Sequence, residues 1–150
     1  MQKYSQKGFT LLEATISLLV LSIGMLGISA LFFEGLKSGR TAVFRTTAVY
    51  LASDMADRIR ANPLGQQAYE NTGADRACLN GNKVCSAVEI AEEDKLNWSN
   101  DVAETMPPDA TATVDVTAIA GADTIIYDIK MAWPESGFDE PLTYELKLEL

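Results

Sequence analysis

Between Phe9 and Phe33 lie 25 residues that carry a single charge, Glu13. As an α-helix rising about 1.5 Å per residue the run is about 38 Å long, enough to cross a hydrocarbon core of about 30 Å. The leader before it, MQKYSQKG, holds Lys3 and Lys7 and no acid. Basic residues flank the cytoplasmic side of a membrane helix, so the N-terminus is expected in the cytoplasm and the bulk of the chain across the bilayer. Glu13 needs its own explanation. Thr10-Leu11-Leu12-Glu13 fits a capping box, in which the acid serves free backbone N–H groups at a helix start and meets the positive end of the helix dipole. That accounts for its position but not for its cost, up to about 3 kcal/mol for a charge at the bilayer centre, which calls for a cationic partner.

A cleaved secretory signal is the competing reading, with a cut near Ser29 and Ala30. Against it, Ile28 stands where a small residue is wanted, and Glu13 interrupts the apolar stretch.

Gly8-Phe9-Thr10-Leu11-Leu12-Glu13 behind a short basic leader resembles the class III signal of type IV pilins. The resemblance implies cleavage by prepilin peptidase between Gly8 and Phe9, with Lys3 and Lys7 in the leader, and N-methylation of Phe9. It also gives Glu13 its partner. The cationic amine freed on Phe9 of one subunit would neutralise Glu13 of its neighbour as the subunit leaves lipid for the filament core, setting the register of stacked helices.

The helical pattern continues past the apolar run. Leu36, Val43, Phe44, Ala48, Leu51, Met55 and Ile59 recur at steps of three and four, with charged residues between them, until Asn62-Pro63 ends the helix. Residues 9–61 would form one helix of about 80 Å, a continuity that a cut near Ala30 would have no reason to preserve. Gly24, Gly27, Gly35 and Gly39 each weaken it by about 1 kcal/mol relative to Ala. They fit either close packing or melting in a filament, or ordinary small-residue packing of a membrane helix.

Residues 64–86 are rich in turn formers and hold both cysteines, Cys78 and Cys85, around an Asn80-Gly81 turn. Outside the cytoplasm a Cys78–Cys85 disulfide closing an eight-residue loop would stabilise by about 2 to 3 kcal/mol. Free thiols or a metal site are the alternatives. From Ser86 to Met106 one or two short helices are expected, with Trp98, Val102 and Met106 on one face and Pro107-Pro108 as the stop. Glu92-Glu93-Asp94 reads as a solvated helix face in preference to paired catalytic acids or a calcium site.

The last third alternates with period two. Ile125, Tyr127, Ile129, Met131 and Trp133 fall on one face, as do Leu142, Tyr144, Leu146, Leu148 and Leu150, and residues 111–118 alternate as well. A three-stranded antiparallel meander follows, with turns at 119–123 and 134–141. Its apolar face is expected against the amphipathic half of the long helix. That α+β arrangement, a long N-terminal helix on a small C-terminal antiparallel sheet, is the one the type IV pilin resemblance implies. The segments are then a leader, 1–8; a transmembrane and filament-core half-helix, 9–33; and a periplasmic domain, 34–150, which includes the amphipathic half-helix 34–61.

Composition narrows the function. The chain has no histidine, which excludes Ser-His-Asp and Cys-His catalysis and histidine metal sites. Twelve basic residues face 21 acidic ones, a balance that repels phosphate backbones, and no basic patch suited to nucleic acid stands out. No catalytic residue, cofactor or metal is expected.

Within the pilins, the stretch AVYLASDMADRIRANP at 48–63, the segment 94–107 with Trp98, and the Trp133 strand with its alternating terminal partner resemble PilV-type minor pilins. Major pilins commonly carry a proline near the end of the membrane half, where Ala30 stands here, and clasp a C-terminal loop with a disulfide, whereas Cys78 and Cys85 precede the sheet. The tip-most pseudopilin of type II secretion typically lacks the glutamate that Glu13 supplies.

The resemblance implies a non-enzymatic subunit of the inner membrane and then of the pilus, near its tip, that primes pilus assembly. Its partners would be other minor and major pilins, prepilin peptidase, the assembly platform and a tip adhesin. The alternatives are a type II secretion pseudopilin and a periplasmic binding domain that uses the apolar run as an anchor or signal. A hydrolytic enzyme ranks behind both.

Overall fold

The computed structural model describes residues 8–78, 83–119 and 124–150. Lys3, Lys7, the Asn80-Gly81 turn and most of the 119–123 turn lie outside them. Helix α1 spans Leu11–Ala61, a 3₁₀ turn η1 spans Gln66–Tyr69, helix α2 spans Ala87–Thr105, and strands β1, β2 and β3 span Thr111–Ala118, Ile125–Trp133 and Leu142–Glu149. The chain divides into two compact units, Met1–Arg40 and Thr41–Leu150.

In the first unit the described part is the beginning of α1. From Gly8 to Leu36 every residue is exposed, and the stretch is long and apolar enough to cross a membrane. Its hydroxyls turn inward. Ser17 Oγ donates to the Glu13 carbonyl at 2.8 Å, Ser22 Oγ to Leu18 at 2.6 Å and Ser29 Oγ to Met25 at 2.8 Å. Backbone and hydroxyl groups satisfied within the helix leave an outer surface that lipid tolerates.

In the second unit α1 becomes one-sided. Ala48, Leu51, Ala52, Met55, Ala56 and Ile59 are buried and share one core with Trp98 and Val102 of α2, Tyr69 of η1 and the inner face of the sheet. The sheet order is β1-β2-β3, antiparallel throughout, with Val114 opposite Ile129 and Ile129 opposite Leu146. The expected α+β meander is therefore present, and the helix covers its apolar face. The buried stripe starts later than the periodicity predicts: Leu36 and Val43 are exposed and Phe44 is the first apolar side chain to reach the core. Recurrence at three and four residues marks a face, and only tertiary contact decides where that face is covered.

Helix α2 is a single 19-residue element. Its N-terminus carries a full capping box: the Ser86 hydroxyl accepts from the Glu89 N–H, and the Glu89 carboxylate accepts from the Ser86 N–H at 2.9 Å. The Lys83 ammonium and these cap hydrogen bonds hold the Glu89 carboxyl down to about 2. Trp98, at the centre of the core, donates its indole N–H to the Leu51 carbonyl at 2.8 Å and so ties α2 to α1.

Candidate functional site

The residues singled out for processing and docking sit at the start of α1. The Thr10 hydroxyl accepts from the Glu13 N–H at 3.2 Å, and the Thr10 carbonyl accepts from the Ala14 N–H at 3.2 Å, so Thr10 caps the helix and places Glu13 in its first turn. Phe9 is 76% exposed and precedes the helix. Among the described residues the Glu13 carboxylate has no ion-pair partner, and its side chain is exposed amid Leu11, Leu12 and Ile16, which are exposed too. A carboxylate in apolar surroundings is costly, and among the described residues its local relief is the helix dipole.

Gly8 carries no demand from the fold. A Cβ added there would meet nothing within 4 Å, and the same holds at Gly24, Gly27, Gly35 and Gly39. Glycine in open space is not explained by packing within this chain. At Gly73 the reverse applies, since an added Cβ would overlap the Leu96 backbone, and that glycine lets the 70–78 segment lie against α2.

Cys78 and Cys85 are joined by a disulfide, and the Cys78 N–H donates to Glu93 Oε2 at 2.6 Å. This contact belongs to a group of interactions that corrects the reading of Glu92-Glu93-Asp94 as a solvated face. Glu92 pairs with Arg76, Glu93 is 7% exposed, and Asp94 Oδ1 lies 3.4 Å from Arg58 Nη1. Each acid has a different structural partner because successive helical residues point about 100° apart.

Arg58 is the hub that sequence reasoning missed. Its guanidinium meets Asp54 at 2.8 Å, Asp94 at 3.4 Å and Asp101 at 3.7 Å, which joins α1 to α2. The Tyr69 hydroxyl lies 3.2 Å from both the Arg58 carbonyl and Asp94 Oδ2 and can donate to either. Burial pushes the Asp94 carboxyl above its ordinary range, opposed by Tyr69 and Arg58, and burial also raises the Tyr69 hydroxyl. Tyr69 sits edge-on to Tyr127, with ring centroids 6.5 Å apart. These groups brace the fold, with each carboxylate engaged by a cation or a hydroxyl. No cluster of three or more acidic or cysteine side chains suited to a metal occurs among the described residues.

Two family signatures meet in this region. Residues 3–29 match the prokaryotic N-terminal methylation motif, and residues 30–96 match the family described as type IV pilin Tt1218. No curated protein and no solved structure matches the chain. The two signatures abut and run together from the basic leader to the middle of α2, over a fold with the long N-terminal helix and small antiparallel sheet of that family; the chain belongs to the type IV pilins.

Proposed function

We propose that this pilin is a PilV-type minor subunit. It would be cleaved between Gly8 and Phe9 by prepilin peptidase, methylated on Phe9, and assembled with other minor pilins into the complex that primes the pilus and stays near its tip. Leader 1–8, with Lys3 and Lys7, directs processing; residues 9–33 anchor the subunit in the inner membrane; residues 34–150 form the periplasmic domain. Glu13 docks the subunit by pairing with the N-terminal amine of a neighbour.

The observation that carries this reading is Glu13 itself, an exposed carboxylate in the first turn of an exposed apolar helix, with no ion-pair partner among the described residues. The open surroundings of Gly8 fit the cleavage step: the fold places no demand on a glycine there, so the constraint would come from outside the chain, as from a peptidase subsite that admits no side chain. The resemblance of 48–63 and 94–107 to minor pilins, and Ala30 in place of a proline, support the minor role.

The test is the N-terminal sequence and mass of the membrane-bound protein, with and without prepilin peptidase. A peptidase-dependent start at methylated Phe9 is expected, and Glu13→Leu should then be processed normally but fail to support pili. A start near Ala30, or an intact Met1 in the presence of the peptidase, overturns the reading. Loss of protein export with pili intact on deletion would move the subunit to a type II secretion system.

A further inference from the structure

The sheet has an open edge at β3. Ile125 and Leu150 exchange both backbone hydrogen bonds, at 2.7 and 3.0 Å. By the antiparallel register, Leu142, Tyr144, Leu146 and Leu148 therefore direct their N–H and C=O groups to β2, and Thr143, Glu145, Lys147 and Glu149 direct theirs away from it. Among the described residues no strand takes up that second side.

The apolar face runs out toward the same edge. Tyr127, Ile129, Met131 and Trp133 of β2 are buried, whereas Leu142, Tyr144 and Leu146 of β3, on the same face, are only half-buried. Beside them an open cleft of about 360 Å³ is lined by Arg45 and Val49 of α1 with Trp133, Leu142, Thr143 and Tyr144. Arg45 is exposed and makes no ion pair among the described residues, unlike Arg58, Arg60, Arg76, Lys83, Lys130 and Lys147, each within 4 Å of a carboxylate. Unpaired edge groups, a half-covered apolar row and a cation with no carboxylate beside it among the described residues thus lie together on one side of the domain.

We propose that an extended segment of a second, different polypeptide adds to β3 as a fourth strand, covering Leu142, Tyr144 and Leu146 with alternate apolar side chains and setting a carboxylate against Arg45. Strand addition draws its affinity from the main chain and its specificity from pockets for alternate side chains. A second copy of this chain fits less well. The residues that its own β3 would lay on this face, Leu142, Tyr144, Leu146 and Leu148, bring no carboxylate to Arg45. The inference rests on the assembly role proposed above.

The test compares full-length Glu145→Pro, Glu145→Thr and Arg45→Glu in cells, reading processing at Phe9, thermal melting in detergent, and the amount of subunit in sheared pili. Proline at 145 removes an N–H that β2 does not use and is tolerated in an edge strand. Threonine removes the same carboxylate but keeps the N–H. Expected are normal processing and melting for all three, parental incorporation of Glu145→Thr, and at least tenfold less Glu145→Pro and Arg45→Glu in pili. If Glu145→Pro melts early, Arg45→Glu decides alone, since it touches no strand pairing.

Folded, processed variants that enter pili like the parent overturn the proposal and leave the minor-pilin reading standing. A photo-crosslinker at Thr143 that yields a product of twice the subunit mass, lost in Glu145→Pro, replaces the partner with a second copy and overturns it too. A parent chain that keeps Met1 and never reaches pili overturns the functional reading first, and this proposal with it.

Discussion

Helix α1 is continuous in its hydrogen bonding, yet its two stretches are built on different principles. Up to Phe33 the side chains are apolar on nearly all sides and exposed, and from Thr41 onward one stripe, Ala48, Ala52, Met55, Ala56 and Ile59, is fully buried while the opposite face carries Arg60, Asp57 and Tyr50. A helix that is apolar all round needs a non-aqueous surrounding, and a one-sided helix needs only a partner. The first stretch depends on lipid or on other subunits for its stability, and the second on residues of its own chain.

The sharpest way to break that comparison is to remove one side chain from each stretch. Trp98→Ala opens a cavity against α1 and leaves the Leu51 carbonyl without its indole donor, so a loss of about 3 to 5 kcal/mol is expected by denaturation of the full chain in detergent. Leu18→Ala should change that same transition by less than about 0.5 kcal/mol. A comparable loss from Leu18→Ala would mean that the two stretches are not energetically separate.

The disulfide sharpens the comparison at a middle scale. Cys78→Ser with Cys85→Ser releases an eight-residue loop and should cost about 2 to 3 kcal/mol in the same measurement, leaving the helicity of the apolar stretch untouched. A parental transition under these conditions would assign the loop no share in the stability of the domain.

A pH-dependent effect belongs to Lys95, 7% exposed, with its ammonium 4.9 Å from the centre of the Trp98 ring and Asp115 as the opposing charge nearby. Burial pushes its amine down to about 8, below the ordinary value of 10.5. Between these values the unfolded chain binds more protons than the folded one, so stability due to this residue rises with pH from about 8 to 10.5. Lys95→Met should therefore be the more stable protein at pH 7, and its advantage should shrink as the pH is raised through that window. An advantage constant from pH 7 to 10 would show that Lys95 does not titrate differently in the two states.

Much of this was readable from the chain because it depends on local rules. Alternation fixed the faces of β1, β2 and β3, and Asn62-Pro63 fixed the end of α1, whereas the capping box of Ser86 and Glu89 at the start of α2, equally local, went unread. The candidate site was legible because a glycine, a phenylalanine and an acid at fixed spacing lie within a few residues of each other. What else escaped was set by contacts between distant residues. Nothing next to Arg58 in sequence announces Asp94 or Asp101, and nothing around Tyr69 marks it as the side chain that joins η1 to β2. Glu93 looks like any acid on a polar helix until the loop carrying Cys78 folds over it.

The placement of the two tryptophans makes the domain its own reporter. Trp98 and Trp133 are the only ones in the chain, both fully buried and both within Thr41–Leu150. Indole emission is therefore blind to the apolar stretch: a red shift signals water reaching the core of the domain, and a change of detergent or lipid alone should leave the spectrum still. Fluorescence can follow unfolding of the subunit inside a micelle whose own rearrangements it does not see.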